Sequence, residues 1–229
     1  MFERAAERVV RLGGATVLWH PTLPEVPHLN ALVVPGGLSP EAVEALYEEH
    51  PVTRVAVDDD ALAAAMAERG WEDHAILLLG RDGALEPPVA DMLAEEVPYG
   101  HVRGLRDEWI RSEPWAAAED VVRDAHEGDR RLFAATPTRA FAVFERGRPL
   151  AYSLLLDGGR DGMLEDVYTT PSARGRGLAS ACIAAVLHAA RAARHELVFV
   201  PTDAEGGARA LYERHGFRPL TLRHRLTRP

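Results

Sequence analysis

The 229-residue chain contains no lysine and no glutamine, and it has one cysteine, Cys182. Without lysine there is no Gly-Lys-Ser/Thr sequence, so a P-loop nucleotide site is excluded. A single cysteine cannot form an intrachain disulfide, which fits a protein of the reducing cytoplasm. Cys182 falls among Leu178, Ile183, Val186 and Leu187 at helical spacing, so we expect it to pack in a core rather than to react.

Long apolar runs are also missing. No stretch is long enough to cross a bilayer, and the N-terminus lacks a cationic-then-apolar signal pattern, so we expect a cytoplasmic protein with no membrane partner. A net charge of −9 argues against nucleic acid as the main partner. The charge is uneven, because residues 1–100 carry 18 acids and 6 arginines whereas residues 101–229 carry 17 acids and 20 arginines. This asymmetry predicts two units, the second better suited to an anionic ligand.

Apolar periodicity and turn signals predict an α/β chain in two parts, with a smaller α/β unit (1–80), a glycine- and proline-containing linker (81–98) and a larger unit (99–229). In the first unit, Ser39 and Pro40 indicate a helix cap and the first helical position, and the Asp58–Asp60 run indicates a second helix start. The second unit reads β-α-α-β-β-β-α-β-α-β, which predicts a mixed, mostly antiparallel sheet with helices on both faces. Strands are predicted at 15–20, 29–34, 53–57, 74–79, 100–103, 140–144, 150–156, 164–170, 196–200 and 220–226, and helices from 40, at 60–69, 106–112, 114–127, 178–194 and 207–215.

The sequence Arg-Gly-Arg-Gly-Leu-Ala at 174–179 lies between a predicted strand and a predicted helix. The free N–H groups of a helix start, two glycines that permit close backbone approach and two arginines together suit an anion such as a pyrophosphate. Glycine-rich strand-to-helix turns are common, however, and this one lacks the third glycine and the following acidic residue of a dinucleotide fingerprint. The motif alone therefore leaves both a phosphate cradle and an ordinary turn open.

A weak internal repeat relates the ends of the two units. In the first unit, a strand and a helix are followed by Gly70-Trp71 and another strand. The second unit has the same order around Gly216-Phe217, and the alignment places Met66 opposite Tyr212. Common ancestry predicts this pattern, but so does the general preference of helix ends for glycine.

The C-terminal unit resembles the GNAT superfamily of N-acetyltransferases over about residues 99–229. The acyl-CoA signature Arg/Gln-x-x-Gly-x-Gly/Ala is met by Arg174, Gly177 and Ala179, and the late Leu-Tyr-x-x-x-Gly-Phe element is met at 211–217. Thr169 stands where the family usually has an aliphatic residue. The resemblance implies a GNAT-like fold and transfer of an acetyl group from acetyl-CoA to a small amine or a peptide amine, and it suggests that the first unit is a degenerate GNAT-like domain.

The resemblance also implies where acetyl-CoA binds. The backbone of the glycine-rich loop would hold the pyrophosphate, the pantetheine would lie along the preceding strand, and Asp203 stands where the family often has an asparagine that contacts the cofactor. No histidine spacing suggests a metal site, so none is expected. The implied cofactor-binding residues are Val167, Thr169, Arg174, Gly175, Arg176, Gly177, Leu178, Ala179, Ser180 and Asp203.

Two residues are the candidates for the chemistry. Tyr212 matches the position that supplies the general acid in many GNAT enzymes, although on a bare amphipathic helix it would be a packing aromatic. Strand alternation predicts that Glu165, Val167 and Thr169 share one face. GNAT enzymes that have a base in this strand carry it on that face, so the resemblance favours Glu165 over Asp166 as the base. A water chain without a dedicated base, and an exposed Glu165, remain alternatives.

Other functions stay open at this point. A non-catalytic acyl-CoA-binding sensor or assembly module, and an arginine-rich nucleotide-binding protein, would share the same loop. The acceptor pocket is expected at 103–114, at 157–162 and at the final strands, and the acidic first unit would favour a cationic amine. The sequence does not choose between a monomer and a homodimer.

Overall fold

The computed structural model describes residues 2–24, 26–89, 92, 94–113, 116 and 118–228. The helices are α1 (Phe2–Ala5), α2 (Pro40–Glu49), α3 (Asp60–Glu68), α4 (Arg103–Ser112), α5 (Glu119–Ala135), α6 (Leu178–Ala192) and α7 (Arg209–Arg214). The strands are β1 (Arg8–Leu12), β2 (Ala15–Trp19), β3 (Ala31–Val34), β4 (Arg54–Val57), β5 (Glu72–Asp82), β6 (Glu95–Val97), β7 (Thr138–Glu145), β8 (Arg148–Asp157), β9 (Asp161–Thr169), β10 (Leu197–Asp203) and β11 (Arg218–Thr227).

The locally signalled elements form as predicted. Ser39 caps α2 by accepting a hydrogen bond from the Ala42 N–H, and Asp59 caps α3 by accepting from two N–H groups. The strand predicted at 100–103 is wrong, because that segment is a 3-10 turn leading into α4. The edge strand β6 instead lies within the stretch predicted as a linker, and β5 runs on to Asp82. For the helix predicted at 114–127, positions 114, 115 and 117 lie outside the described residues. The described helix in this region is α5, which begins at Glu119.

The described strands form one sheet in the order β1-β2-β3-β4-β11-β5-β10-β9-β8-β7-β6. Two pairs, β3/β4 and β9/β10, are parallel, and the other neighbours are antiparallel. This is the mixed, mostly antiparallel sheet with flanking helices that the sequence predicts.

The two halves of the chain exchange a strand at the centre of this sheet. β5 from the first half lies between β10 and β11 of the second half, and β11 lies between β4 and β5 of the first. β5 pairs with β11 from Glu72↔Thr227 to Gly80↔Arg218 and with β10 from Ile76↔Asp203 to Asp82↔Leu197. Each half therefore completes the sheet of the other.

The faces of the sheet are covered unequally. Leu222 and Leu226, four residues apart on β11, point to one face, where they pack in the clusters that include residues of α6 and α7 and of α2 and α3, respectively. The opposite face carries α1, α4 and α5 over the C-terminal half, with Tyr152, Leu154 and Met163 beneath them. The candidate site lies where this second face meets the centre of the sheet.

Among the described residues, no helix is long and apolar enough to cross a membrane.

Candidate active site

A cleft opens between the parallel strands β9 and β10. They pair only at Leu197↔Asp161, Val198↔Gly162 and Phe199↔Met163, yet β9 continues to Thr169 and β10 to Asp203. Beyond Met163 the β10-facing edge of β9 therefore has no strand partner in the described part of the chain. Unpaired backbone N–H and C=O groups along such an edge are available to an extended, amide-containing ligand.

The corresponding parallel pair of the first half is closed. β3 and β4 stay in register from Ala31↔Arg54 to Val34↔Val57, which is the carboxyl end of both strands. The next residues, Pro35-Gly36-Gly37, lead to α2 without an arginine-rich loop. In its described residues, the first half thus has neither a cleft between its parallel strands nor a matching anion loop.

A β-bulge interrupts β9 at the cleft. Leu154 pairs with Glu165 and Tyr152 pairs with Tyr168, so two residues of β9, Asp166 and Val167, stand opposite Ser153 alone. Asp166 has φ of 53°, an uncommon conformation for a residue other than glycine.

The bulge changes which side chains share a face of the strand. Leu164 and Val167 belong to the same hydrophobic cluster on the α6 side, whereas Met163 and Tyr168 pack on the α4 and α5 side. The sequence-based prediction that Glu165 shares a face with Val167 and Thr169 is therefore wrong, because the inserted residue reverses the alternation. Glu165 lies on the α4 and α5 side.

The glycine-rich loop forms the start of α6. Gly177 is the residue before the first helical turn, with φ of 79°, and Gly175 has φ of 75°. A β-carbon would strain the backbone at both positions, and nothing lies within 4 Å of where either would be. No side chain among the described residues caps α6, so the N–H groups of Leu178, Ala179 and Ser180 are available to an anion.

The side chains around this loop differ in their exposure and in their partners. Arg174 is exposed, and its Nε donates to the backbone oxygen of Thr169 at 3.3 Å. Arg176 is held by an ion pair with Glu145 at 2.5 Å. Leu178 is buried and offers only its backbone.

The remaining predicted cofactor residues lie along the two strands. Val167 is half-buried, and the Thr169 hydroxyl is buried without a hydrogen-bond partner in the described part of the structure. Asp203 ends β10, where its Oδ1 accepts from the Glu205 N–H at 2.9 Å and its Oδ2 lies 3.5 Å from His74 Nε2. Its backbone oxygen and one carboxylate oxygen therefore organise the turn before α7.

A buried cluster of charges lies beneath the bulge. Arg106 of α4 donates to Asp166 Oδ1 at 2.7 Å and makes a two-pronged contact with Asp129 of α5 at 2.9 Å on each arm. Tyr99 adds a hydrogen bond from its hydroxyl to Asp129. The side chains of Asp129 and Asp166 are each only 6% exposed, and that of Arg106 is 11% exposed. The left-handed backbone of Asp166 is thus held in place by a charged hydrogen bond from another element.

Glu165 completes this cluster without a partner of its own. Its Oε2 is buried and accepts no hydrogen bond from the described residues. Burial, together with the charge of Asp166, raises the pKa of Glu165 well above the ordinary glutamate value, because the single positive charge of Arg106 is shared among several carboxyl groups. Burial also raises the pKa of Asp166, although Arg106 opposes this shift.

Tyr212 belongs to the helix that follows β10. It lies on α7, is 6% exposed and packs edge-to-face on Phe217 with ring centroids 6.0 Å apart. Burial raises its pKa, and the nearby charges of Glu165 and Asp166 raise it further. The phenol therefore stays protonated at neutral pH and is placed within electrostatic reach of both carboxyl groups.

Sequence reasoning missed the two residues that hold the bulge. Arg106 had been included only as part of a predicted pocket segment, and Asp129 lies beyond the predicted end of its helix. Asp129 stands between Val122 and Leu132 on the buried face of α5 at spacings of seven and three residues. An acidic residue at an apolar helical position was the signal that could have identified it.

Comparisons with known proteins identify the family and the fold of the chain. A model of the acetyltransferase (GNAT) family matches residues 102–217, just over half of the chain. No curated protein matches the chain.

Solved structures resemble the chain over almost its whole length. A GCN5-related N-acetyltransferase from Kribbella flavida has a TM-score of 0.69 at 19% identity, covering 98% of this chain and 90% of its own. A functionally unknown conserved protein from Staphylococcus epidermidis has a TM-score of 0.73 at 11% identity, covering 96% and 93%. A tandem GNAT protein from the clavulanic acid biosynthesis pathway has a TM-score of 0.59 at 17% identity, covering 96% and 81%. On the family match, the chain belongs to the GNAT acetyltransferase family.

Proposed function

We propose that the protein transfers an acetyl group from acetyl-CoA to a primary amine, at one site in its C-terminal half. The observation that carries this proposal is the cleft between β9 and β10, which has the glycine-rich loop at one end, Glu165 and Asp166 on β9, and Tyr212 near enough for the charges of both carboxyl groups to raise its pKa. A ligand that extends from the loop into the cleft would bring an acyl group to these three side chains.

The loop end suits the diphosphate of CoA. The free N–H groups at the start of α6 and the positive end of the helix dipole attract an anion, and Arg174 adds an exposed positive charge. Arg176 would join them only by exchanging its ion pair with Glu145 for the phosphate. The pantetheine amides would then pair with the unpartnered edge of β9 near Val167 and Thr169. Asp203, at the end of β10, would lie on the opposite side of the cleft.

Glu165 is the proposed general base. The acceptor reaches the enzyme as an ammonium ion and must lose a proton before its nitrogen can attack the thioester carbonyl. Glu165 has an unpartnered buried oxygen and a raised pKa, which brings its basicity closer to that of an amine. Asp166 is the weaker candidate because its Oδ1 is engaged by Arg106.

Tyr212 is the proposed general acid. When the tetrahedral intermediate collapses, the C–S bond breaks, the amide remains on the acceptor and the departing CoA thiolate needs a proton. Burial and neighbouring carboxylates keep the Tyr212 phenol protonated, so it can donate this proton. The proton that Glu165 has taken from the amine would then restore the phenol. The aligned residue of the first half, Met66, is fully buried and has no proton to give.

We propose further that the first half is a degenerate domain of the same kind. The hydrogen bonds after Met66 and after Tyr212 repeat closely: Trp71 N–H donates to Met66 O at 3.2 Å, and Phe217 N–H donates to Tyr212 O at 3.2 Å. Gly70 and Gly216, which precede these aromatics, have φ of 89° and 86°. This similarity supports common ancestry, with a single working site.

The test is release of free CoA thiol from acetyl-CoA in the presence of a panel of primary amines. The proposal predicts release that depends on the amine, with an acetylated amine as the second product. CoA binding without release by any amine would favour a non-catalytic acyl-CoA sensor. ATP that competes with CoA on equal terms would indicate a general nucleotide site, because the pantetheine cleft would then contribute nothing.

A further inference from the structure

Two arginines that play no part in the proposed chemistry lie half-buried without partners. Arg54 is on β4 of the first half and Arg225 is on β11 of the second, and neither makes an ion pair or a hydrogen bond among the described residues. By contrast, the other buried or half-buried arginines of the described chain are all paired or hydrogen-bonded. The Nε atom of Arg54 is fully buried and unsatisfied.

The two guanidinium groups are close enough to repel each other. β4 and β11 are adjacent, with Ala56↔Arg225 and Val55↔Leu226 in register. Burial, together with the charge of Arg225, lowers the pKa of Arg54 to about 10. Asp203 acts on Arg225 electrostatically but is not among its ion-pair partners. Two like charges held together out of water are costly unless an anion joins them.

Arg223 shows what an ordinary structural arginine does on this strand. It lies two residues from Arg225, on the same face, and makes a two-pronged ion pair with Asp58 at 2.6 and 2.7 Å. No carboxylate of the described chain does the same for Arg54 or Arg225. The absence of a carboxylate partner therefore distinguishes Arg54 and Arg225 from the neighbouring Arg223.

Both arginines face the side of the sheet on which Glu165 lies. Val55 and Leu226, their neighbours in sequence, point to the α2 and α3 side, so Arg54 and Arg225 point away from it. His28 connects the two regions, because its ring senses the charges of Arg54 on one side and of Asp129 and Arg106 on the other. Burial lowers the pKa of His28 to about 4, so it stands between them as a neutral ring.

We propose that Arg54 and Arg225 form an oxyanion-binding subsite for the acceptor, so that the preferred acceptor is an amine that also carries a carboxylate or phosphate group. This inference rests on the proposed acetyl transfer. The ammonium end of the acceptor meets the carboxyl cluster of Glu165, Asp166 and Asp129, which has only one guanidinium to balance it. The anionic end meets the two arginines, which have no carboxylate. The ligand thus supplies the charge that each end lacks, and this proposal differs from the expectation of a purely cationic amine.

The test compares acceptors that differ only in the anionic group. A series of ω-amino carboxylic acids is matched with n-alkylamines of equal length, and phosphoethanolamine is matched with ethanolamine. At one length or more, the anionic acceptor should have a KM about 10- to 100-fold lower, the size expected for charge-assisted hydrogen bonds. Equal KM values throughout both series would overturn the proposal.

Variants assign the effect to these residues. Arg54→Gln and Arg225→Gln should each raise KM for the favoured anionic acceptor at least 10-fold more than for its neutral counterpart, with kcat changed little. Neither should lower the melting temperature, because each removes a repulsion, whereas Arg223→Gln should lower it by leaving Asp58 unpaired. Arg148→Gln, an exposed position on a hairpin, is the control for general loss of positive charge. Equal effects on both acceptors, or a fall in melting temperature for both subsite variants, would overturn the subsite.

The subsite can be separated from the proposed function. If no amine releases CoA, the acetyl-transfer proposal fails, and the subsite is then tested by the melting temperature in succinate and in inorganic phosphate at constant ionic strength. Stabilisation of the wild type that is lost in both subsite variants would support an oxyanion site. The same stabilisation in wild type and variants, or none, would overturn it.

Discussion

At the scale of single residues, the distinctive feature is a set of buried carboxyl groups that share one guanidinium. Asp129 and Asp166 occupy the two sides of Arg106, and Glu165 is left with an unpartnered oxygen. Such an arrangement is stable only if one carboxyl group keeps its proton, and the raised pKa of Glu165 identifies the group that does. Glu165 can take a proton from the acceptor only when it is ionised, so its action as a base should depend on pH.

Glu165→Gln tests this assignment through pH. The folded protein holds a proton on Glu165 at pH values where the unfolded chain has lost it, so stability from this group is lost as pH rises through the folded pKa. The wild type should therefore lose melting temperature relative to Glu165→Gln between acidic and alkaline pH. In the same interval the wild-type kcat/KM should rise as Glu165 ionises, and the variant should lack that rise. Parallel stability curves with matching rate profiles would contradict the role of Glu165.

At the scale of elements, the site depends on a strand that is interrupted and on a helix that is uncapped. The bulge in β9 places Val167 on the face opposite to Glu165, and the pairing of β9 with β10 ends after three residues. Neither feature was predictable from strand alternation, because a bulge is fixed by contacts with other elements, here the bond from Arg106 to Asp166. Caps such as Ser39 and Asp59 were predictable, since the signal and the structure lie within three residues of each other.

Gly177→Ala tests the helix start. An alanine at φ of 79° costs about 1–2 kcal/mol or shifts the loop, so we expect a lower melting temperature and CoA binding weakened roughly 10-fold. Titration calorimetry with CoA measures the affinity. Gly207→Ala is the matched control, because that position has no positive φ and open space around it. Unchanged CoA affinity in Gly177→Ala would show that the loop does not hold the cofactor.

At the scale of the whole molecule, the exchange of β5 and β11 makes the halves mutually dependent. The sequence predicts two units with a boundary near residue 80, and the strand that it predicts at 74–79, just before that boundary, forms as part of β5. It could not predict that the last strand of the first half enters the sheet of the second, because Glu72 and Thr227 meet across 155 positions of chain. Pairing over such separations is set by the assembled sheet and leaves no local pattern.

A fragment of residues 99–229 should therefore fail to fold alone, although it contains the whole region that resembles the family. Without β5, strands β10 and β11 lose their common neighbour, and both edges expose apolar residues such as Val200 and Leu222. Co-expression with residues 1–98 should restore a soluble complex, since the exchanged strand is then supplied from the second chain. Size-exclusion chromatography and circular dichroism measure both outcomes. A stable, monomeric 99–229 fragment would show that the exchange is dispensable.

The central claim is that acetyl transfer occurs in the β9–β10 cleft with Tyr212 as the acid. The most direct measurement is amine-dependent release of CoA thiol by Tyr212→Phe beside Met66→Leu, which alters the aligned position of the first half. The account predicts a roughly 10- to 1,000-fold loss of kcat in Tyr212→Phe with CoA affinity retained, and a normal rate in Met66→Leu. Full activity in Tyr212→Phe would contradict the account.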